Sequence, residues 1–300
     1  MRSRSPLHGR VAVVTGAARG LGAALAGELV RRGARTALVG HEREVLDRVA
    51  ARLGPLTAYW EADVTDEAAM MLVADEITAR FGPPSVVIAN AGIAEAGLFA
   101  TSDFATWRRV IDVNLTGSAT TARVFLPALR QTHGYLLQVA SLASFSTAPM
   151  MSAYCASKAG VEAFAHALRA EVAHHGVDVG IAYINWTDTD MVEGADRQPA
   201  LRELRAHMPA PARRIHPVGP VARRLVTGVE RRSPAVYVPS WLRAVQLARV
   251  GLPPLVTRVA RRELPGLEAG EDLRSTGLLG AGGRADADAT SWRPDDRATP

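Results

Sequence analysis

Val11-Ala12-Val13-Val14-Thr15-Gly16-Ala17-Ala18-Arg19-Gly20-Leu21-Gly22 is the stretch whose reading decides the fold of this chain. Four apolar residues run without a polar break, as in a parallel strand covered on both faces. The glycine-rich turn then opens into a helical pattern that continues to Arg32. Glycines at such a turn let the backbone bend tightly and approach a pyrophosphate, whose charge sits at the helix N-terminus. The spacing is Gly-x3-Gly-x-Gly rather than the commoner Gly-x-Gly-x-x-Gly. Glycine also serves tight turns for steric reasons alone. The position between a strand and a helix is what makes this turn a candidate nucleotide cradle.

The same rhythm repeats downstream. Segments 36–39, 56–60, 85–89, 135–140, 177–184 and 235–238 read as strands, and helical patterns fill 42–53, 66–81, 104–132 (in two pieces, with Asn114 near the middle), 152–174 and 217–232. Such alternation predicts an α/β fold, a doubly wound parallel sheet of Rossmann-like type, over residues 7–239. Ligands of these folds sit beyond the carboxyl ends of the strands. The glycine turn, Asp63, Asn90, Ser141 and the region after Ile184 all fall there.

Three segments depart from the rhythm. Residues 191–214 are polar, end in Pro209-Ala210-Pro211, and read as a substrate lid, with an ordinary connecting helix as the alternative. Residues 240–263 form a basic amphipathic C-terminal extension in which Trp241, Leu242, Val245, Leu247 and Val250 mix with Arg243, Arg249, Arg258, Arg261 and Arg262. That pattern suits a peripheral contact with an anionic membrane, or packing on the domain or on a second subunit. Residues 264–300 are rich in Gly, Ala, Asp and Thr and read as a disordered tail.

Composition narrows the classes. Across 300 residues, 48% are hydrophobic and 22% charged, the balance of a soluble globular protein. The net charge is +5, but the basic residues are scattered without interleaved aromatics, which argues against nucleic acid as a partner. Cys155 is the only cysteine, so no intramolecular disulfide or multi-thiolate zinc site is expected, and a reducing cytoplasm is the natural compartment. No metal ligand set stands out. The basic N-terminus leads into a strand-like segment and does not read as a signal peptide, and no apolar run is long enough to span a membrane.

The chemistry is concentrated in Tyr154-Cys155-Ala156-Ser157-Lys158, with Ser141 upstream. Tyr154 and Lys158 share one helix face. An ammonium beside a phenol favours the phenolate and lowers its pKa toward neutrality, where proton transfer is most effective. A serine hydroxyl nearby can bond the same substrate oxygen. Leu98, Phe99, Phe145, Met150, Met151, Trp186 and Met191 flank this site in the predicted topology and suggest an apolar pocket.

Taken in order, Thr15 to Gly22, Asp63, Asn90-Ala91-Gly92, Asn114, Ser141 and Tyr154 to Lys158 resemble the short-chain dehydrogenase/reductase family, over roughly residues 9–238. The resemblance implies an oxidoreductase that interconverts a secondary alcohol and a ketone by hydride transfer. Tyr154 would be the acid/base and Ser141 would orient the substrate oxygen. Lys158 would lower the tyrosine pKa and hold the nicotinamide ribose, and Asn114 would support a water relay. Thr15, Gly16, Gly20, Leu21 and Gly22 would cradle the phosphates, Asp63 and Val64 would meet adenine, and Asn90, Ala91 and Gly92 would border the cofactor. A non-catalytic nucleotide-binding scaffold of the same fold is the alternative, and family members commonly form dimers or tetramers.

Two departures stand out. Members preferring NAD carry an acid after the second strand, where this chain has Gly40 followed by His41-Glu42-Arg43. With Arg19, His41 and Arg43 available to a 2′-phosphate, NADP(H) is favoured over NAD(H). After Ile184 the usual Pro-Gly is replaced by Asn185-Trp186-Thr187-Asp188-Thr189, leaving Thr189, then Thr187, to meet the nicotinamide amide.

Overall fold

A computed structural model describes residues 4–270 and 276–291. Its sheet has seven parallel strands in the order β3-β2-β1-β4-β5-β6-β7. They are β1 (Val11–Thr15), β2 (Arg35–Gly40), β3 (Thr57–Glu61), β4 (Val86–Ala89), β5 (Tyr135–Val139), β6 (Asp178–Ile184) and β7 (Ala235–Val238). Between and after them run α1 (Gly20–Arg31), α2 (Arg43–Leu53), α3 (Glu67–Phe81), α4 (Phe104–Ile111), α5 (Gly117–Thr132), α6 (Ser152–Val172) and α7 (Asp190–Asp196). Then come α8 (Pro199–Ala206), α9 (Ala210–Arg213), α10 (Val218–Glu230), α11 (Leu242–Leu247), α12 (Leu252–Gly270) and α13 (Gly280–Ser291).

Strand alternation divides the core into two layers. Val11 and Val13 face α3, α5 and α6 through residues such as Met70, Phe125 and Val161. Ala12 and Val14 face α1, α2 and α10 through Leu25, Leu46 and Leu225. Burial on both faces explains the unbroken apolar runs of the sequence. The strand order reverses between β1 and β4, which opens a crevice at their carboxyl ends. Thr15 bridges it, its hydroxyl accepting from the backbone of Asn90 at 3.1 Å and of Ala91 at 3.2 Å.

The expected doubly wound sheet is therefore present, and its elements begin and end close to the predicted positions. Residues 104–132 are two helices, joined by a π-helical turn at Asp112–Thr116. Residues 191–214 hold α7, α8 and α9. The predicted disordered tail is corrected in part. Within 264–300, α12 continues to Gly270, and α13 packs against α7. Residues 271–275 and 292–300 lie outside the described residues. Among the described residues no helix is long and apolar enough to cross a membrane.

The segment after β7 is tied down by one buried carboxylate. Glu162 of α6 is 4% exposed, and its Oε1 accepts from the Tyr183 hydroxyl at 2.9 Å, Gln246 Nε2 at 2.8 Å and Arg249 Nη1 at 3.1 Å. Removing it leaves the buried Tyr183 phenol without its acceptor, while the half-exposed Arg249 can turn to water, so the cost is that of an unmet buried hydrogen bond, about 1–3 kcal/mol. Glu162→Ala is expected to lose stability on that scale in urea unfolding; a loss below about 1 kcal/mol would show that the anchor is dispensable.

Candidate active site

The site begins where β5 ends. Ser141 caps a short 3-10 turn, Leu142–Ser144, its Oγ accepting from the Ala143 amide at 3.2 Å while Ser144 Oγ accepts from the Ser141 amide at 3.3 Å. Ser144 also donates to the Lys158 carbonyl at 2.9 Å, which fixes the height of α6 against the strand end. Tyr154 and Lys158 then face the same cleft from one side of α6. Lys158 is 4% exposed; its Nζ donates to the Val139 carbonyl at 3.0 Å and lies 5.8 Å from the centroid of the Tyr154 ring.

Asn114 sits in the π-turn, fully buried. Its Oδ1 accepts from the Ile93 amide at 2.8 Å, and its Nδ2 donates to the Ile93 carbonyl at 2.9 Å and to Ser157 Oγ at 3.0 Å. Ser157 donates in turn to the Tyr154 carbonyl at 2.9 Å. A π-turn re-aims one side chain without ending the helix, and such turns recur at functional sites. Gly92 lies against both Asn114 Oδ1 and Lys158 Nζ. Ser141, Tyr154, Lys158 and Asn114 are thus brought together.

The electrostatics differ from expectation in one respect. Burial pushes the Tyr154 phenol up, opposed by its hydrogen bond with Ser141. The lowering expected from the neighbouring ammonium is not the governing effect. Burial instead acts on the ammonium, bringing Lys158 down to about 8. At neutral pH the pair is a protonated phenol beside a lysine that has lost much of its preference for the charged form.

The cofactor-side residues form a continuous wall. Gly16, Gly20, Leu21 and Gly22 line the cleft at the start of α1, where a Cβ on Gly22 would collide with the Gly16 carbonyl. Thr15 is buried behind them, and Asn90 Nδ2 donates to the Thr15 carbonyl at 3.0 Å. Gly40, His41, Asp63, Val64, Asn90, Ala91 and Gly92 continue the wall. A glycine cradle at a helix N-terminus fits a pyrophosphate, so these residues suit a dinucleotide.

Arg19 is committed to Glu42, which has turned inward, and to Asp190 at 3.2 Å. His41 Nε2 is buried with no hydrogen-bond partner among the described residues. Arg43 does not line the cleft. It points outward, is 69% exposed at its side chain and faces Glu61 at 3.7 Å, because it opens α2 on the solvent side.

After β6 the loop without Pro-Gly is held by His216. The Trp186 carbonyl accepts from the His216 amide at 2.8 Å, and the Asp188 amide donates to the His216 carbonyl at 2.9 Å. Thr187 and Thr189 both line the cleft, Thr187 nearly buried and Thr189 against Gly20 at the mouth of α7. Of the expected apolar set, Met151, Trp186 and Met191 line the cavity, whereas Phe145 and Met150 are core and Phe99 is exposed beside Trp107. Leu98 packs beside Met150.

Sequence reasoning missed much of the apolar wall. The cavity, about 890 Å³, is closed by Leu201 and Leu204 of α8 and by Leu252, Leu255 and Val256 of α12. Their helical spacing was visible, but which face met the cleft was not. Arg109 was also missed. It donates to Asp63 Oδ2 at 2.7 Å, Thr65 Oγ1 at 3.0 Å and Asp286 Oδ1 at 2.7 Å.

The Lys158 titration can be read directly, because this is the chain's single lysine. Lysine-selective isotope labelling gives one side-chain resonance, expected to titrate near 8 in protein without added nucleotide. A value at the ordinary lysine level, about 10.4, would refute the burial effect. The folded protein then gives up this proton before the unfolded chain does, so the unfolded state binds more protons above pH 8. The lysine's contribution to stability therefore rises with pH from about 8 to the unfolded value near 10.4.

Comparison with known proteins agrees with this geometry. The short chain dehydrogenase family profile matches residues 10–200. An Arabidopsis thaliana protein named 11-beta-hydroxysteroid dehydrogenase 1A is 30% identical over 261 residues, covering 83% of this chain and 74% of its own. The cis-4-hydroxycyclohexanecarboxylate dehydrogenase of Sinomonas cyclohexanicum is 37% identical over 219 residues, covering 71% and 84%. The putative oxidoreductase SadH of Mycobacterium tuberculosis is 33% identical over 247 residues, covering 76% and 90%. With the strand order, the glycine turn and the Tyr-x3-Lys helix in place, the chain belongs to the short-chain dehydrogenase family of oxidoreductases.

Proposed function

We propose that the chain interconverts a lipophilic secondary alcohol and its ketone with NADP(H), using Tyr154 as acid/base. The observation that carries this reading is the shared cavity: Ser141, Tyr154 and Lys158 stand between a glycine cradle and an apolar chamber. A bound nicotinamide supplies or accepts the hydride. Tyr154, kept protonated by burial, gives its proton to the substrate oxygen in the reductive direction. Ser141 bonds the same oxygen and fixes its distance from the phenol. Lys158 receives its orientation from the Val139 carbonyl and offers its remaining protons to the cleft. Asn114 holds the 93 and 157 positions in register and would support the relay water that the family resemblance implies. The helices of 191–214 act as the lid, and Trp186, Met191 and Leu204 exclude water from the reacting oxygen.

The preference for NADP(H) rests on Arg19 and His41, with Gly40 in place of the usual ribose-binding acid; the inward Glu42 is the one feature that would instead suit the free ribose hydroxyls of NAD(H), and comparing the two nucleotides decides between them. A 2′-phosphate carries more charge than the Glu42 carboxylate and would draw Arg19 from it. The names of the relatives, a hydroxysteroid and a hydroxycyclohexanecarboxylate dehydrogenase, support a hydroxyl on a bulky carbon skeleton. Turnover of NADPH and NADH against a panel of lipophilic and small ketones, followed at 340 nm, is the direct test. Tyr154→Phe is expected to lower kcat about a thousandfold or more while nucleotide affinity stays within about threefold. Undiminished turnover would remove Tyr154 from the mechanism, and nucleotide binding without any turnover would favour the scaffold alternative.

The basic extension carries a second proposal, peripheral contact with an anionic membrane. Leu247 and Val250 are 84% and 87% exposed, and Arg258, Arg261 and Arg262 are exposed on the adjoining helix surface. Each arginine near such a surface adds about 1 kcal/mol of attraction. The protein is expected to co-sediment with phosphatidylserine vesicles at low salt and to be released by Leu247→Ser with Val250→Ser; equal recovery from neutral vesicles would count against it.

A further inference from the structure

The C-terminal segment meets the cleft at three places. Residues 276–279 lie alongside 94–96: the Thr276 amide donates to the Ala96 carbonyl and the Leu279 amide to the Ala94 carbonyl, both at 2.8 Å, and Leu278 pairs antiparallel with Glu95. Leu279 is 4% exposed, among Ala94, Met151 and Ala195. Next, α13 packs on α7 at an approach that only glycine allows. A Cβ on Gly194 would come within 2.5 Å of the Gly280 amide nitrogen, and one on Gly280 within 2.5 Å of the Asp190 carbonyl. Last, Asp286 accepts from Arg109 Nε at 2.9 Å and Nη2 at 2.7 Å, and the same Nη2 donates to Asp63. Leu279, Gly282, Gly283 and Asp286 line the cleft that Arg19 and Asp63 also line.

We infer that residues 276–291 are a working part of the dinucleotide site, in which Asp286 is a positioning residue. Through Arg109 it holds Asp63 at the adenosine end, and the segment roofs the cleft so that nucleotide leaves only when it lifts. The bidentate grip matters because it fixes the plane of the guanidinium, whose contacts with Asp63 and Thr65 are single bonds that alone would let it turn. The contact with α7 places the roof against the first helix of the substrate lid, so opening one loosens the other. This inference rests on the cofactor reading above.

Release of bound NADPH, followed by its fluorescence after mixing with excess NADP+, reads the roof directly in the full-length chain. Asp286→Asn, which keeps the shape and removes the charge, is expected to speed release about tenfold or more. It should raise KM for the nucleotide while KM for the ketone stays within about twofold. Asp286→Glu, which keeps the charge, should stay closer to the unaltered protein. Release from Asp286→Asn at the unaltered rate would overturn the inference. Hydrogen exchange of the unaltered protein gives an independent reading that does not depend on how the variant folds. Saturating nucleotide should slow exchange at 94–96 and across 278–286, and equal exchange with and without it would overturn the roof. Unaltered protein that binds neither NADPH nor NADH would instead refute the cofactor reading, a result seen before any variant is compared.

Discussion

The burial of the Lys158 ammonium is the constraint around which the catalytic half of the molecule is arranged. Every other basic residue of the Lys/Arg set is arginine. A guanidinium could not serve here, since it keeps its proton under all ordinary conditions and presents a broad, rigid fork. A lysine can shift its pKa and thread a narrow channel. Taking its charge out of water is costly unless the ammonium finds an acceptor. The Val139 carbonyl, freed where β5 ends, provides one. That single bond requires α6 to pass the strand end at a fixed height, and Ser144 enforces the height by bonding the Lys158 carbonyl. The position of Tyr154, one turn earlier, follows from both.

Asn114 is the second consequence. An ordinary helix through 104–132 would carry the Asn114 amide past the position where it can meet Ile93 and Ser157 together. The π-turn at Asp112–Thr116 inserts the extra residue that brings it back. The length of the helical stretch suggests two pieces with Asn114 near the join, but not the kind of break. Backbone geometry of that sort is set by contacts with Ile93 and Ser157, which are far away in the chain.

This divides what was legible in the sequence from what was not. The sheet could be read because its central strands are apolar on both faces and each glycine or asparagine at a strand end is a local signal. Tyr154 and Lys158 could be read because helical spacing alone puts them on one face. Arg43 was harder to place because the start of α2 could not be phased from sequence, and one residue of rotation exchanges Glu42 for Arg43 at the cleft. The segment 276–291 misled for a different reason. Its glycines and alanines have the composition of a disordered chain, yet Gly194 and Gly280 are where two backbones touch. Small residues remove the side chains by which a core is normally recognised, so close packing and disorder look alike until the partner is known.

The charges at the adenosine end follow the same logic of shared partners. Arg109 stands between Asp63 and Asp286, and Arg19 between Glu42 and Asp190. Each arginine joins the half of the domain that carries the glycine turn to an element from late in the chain, α13 in one case and α7 in the other. A partly buried ion pair of this kind contributes little to stability by itself, because the desolvation of both ions offsets most of their attraction. What it does supply is geometry: two planar forks fix where the late elements sit over the early ones. A negatively charged ligand arriving between them competes for the same guanidinium groups. On the proposed cofactor reading, binding at that end and the placement of α7 over the apolar chamber would therefore be coupled through the same side chains, with no need for a separate signalling path.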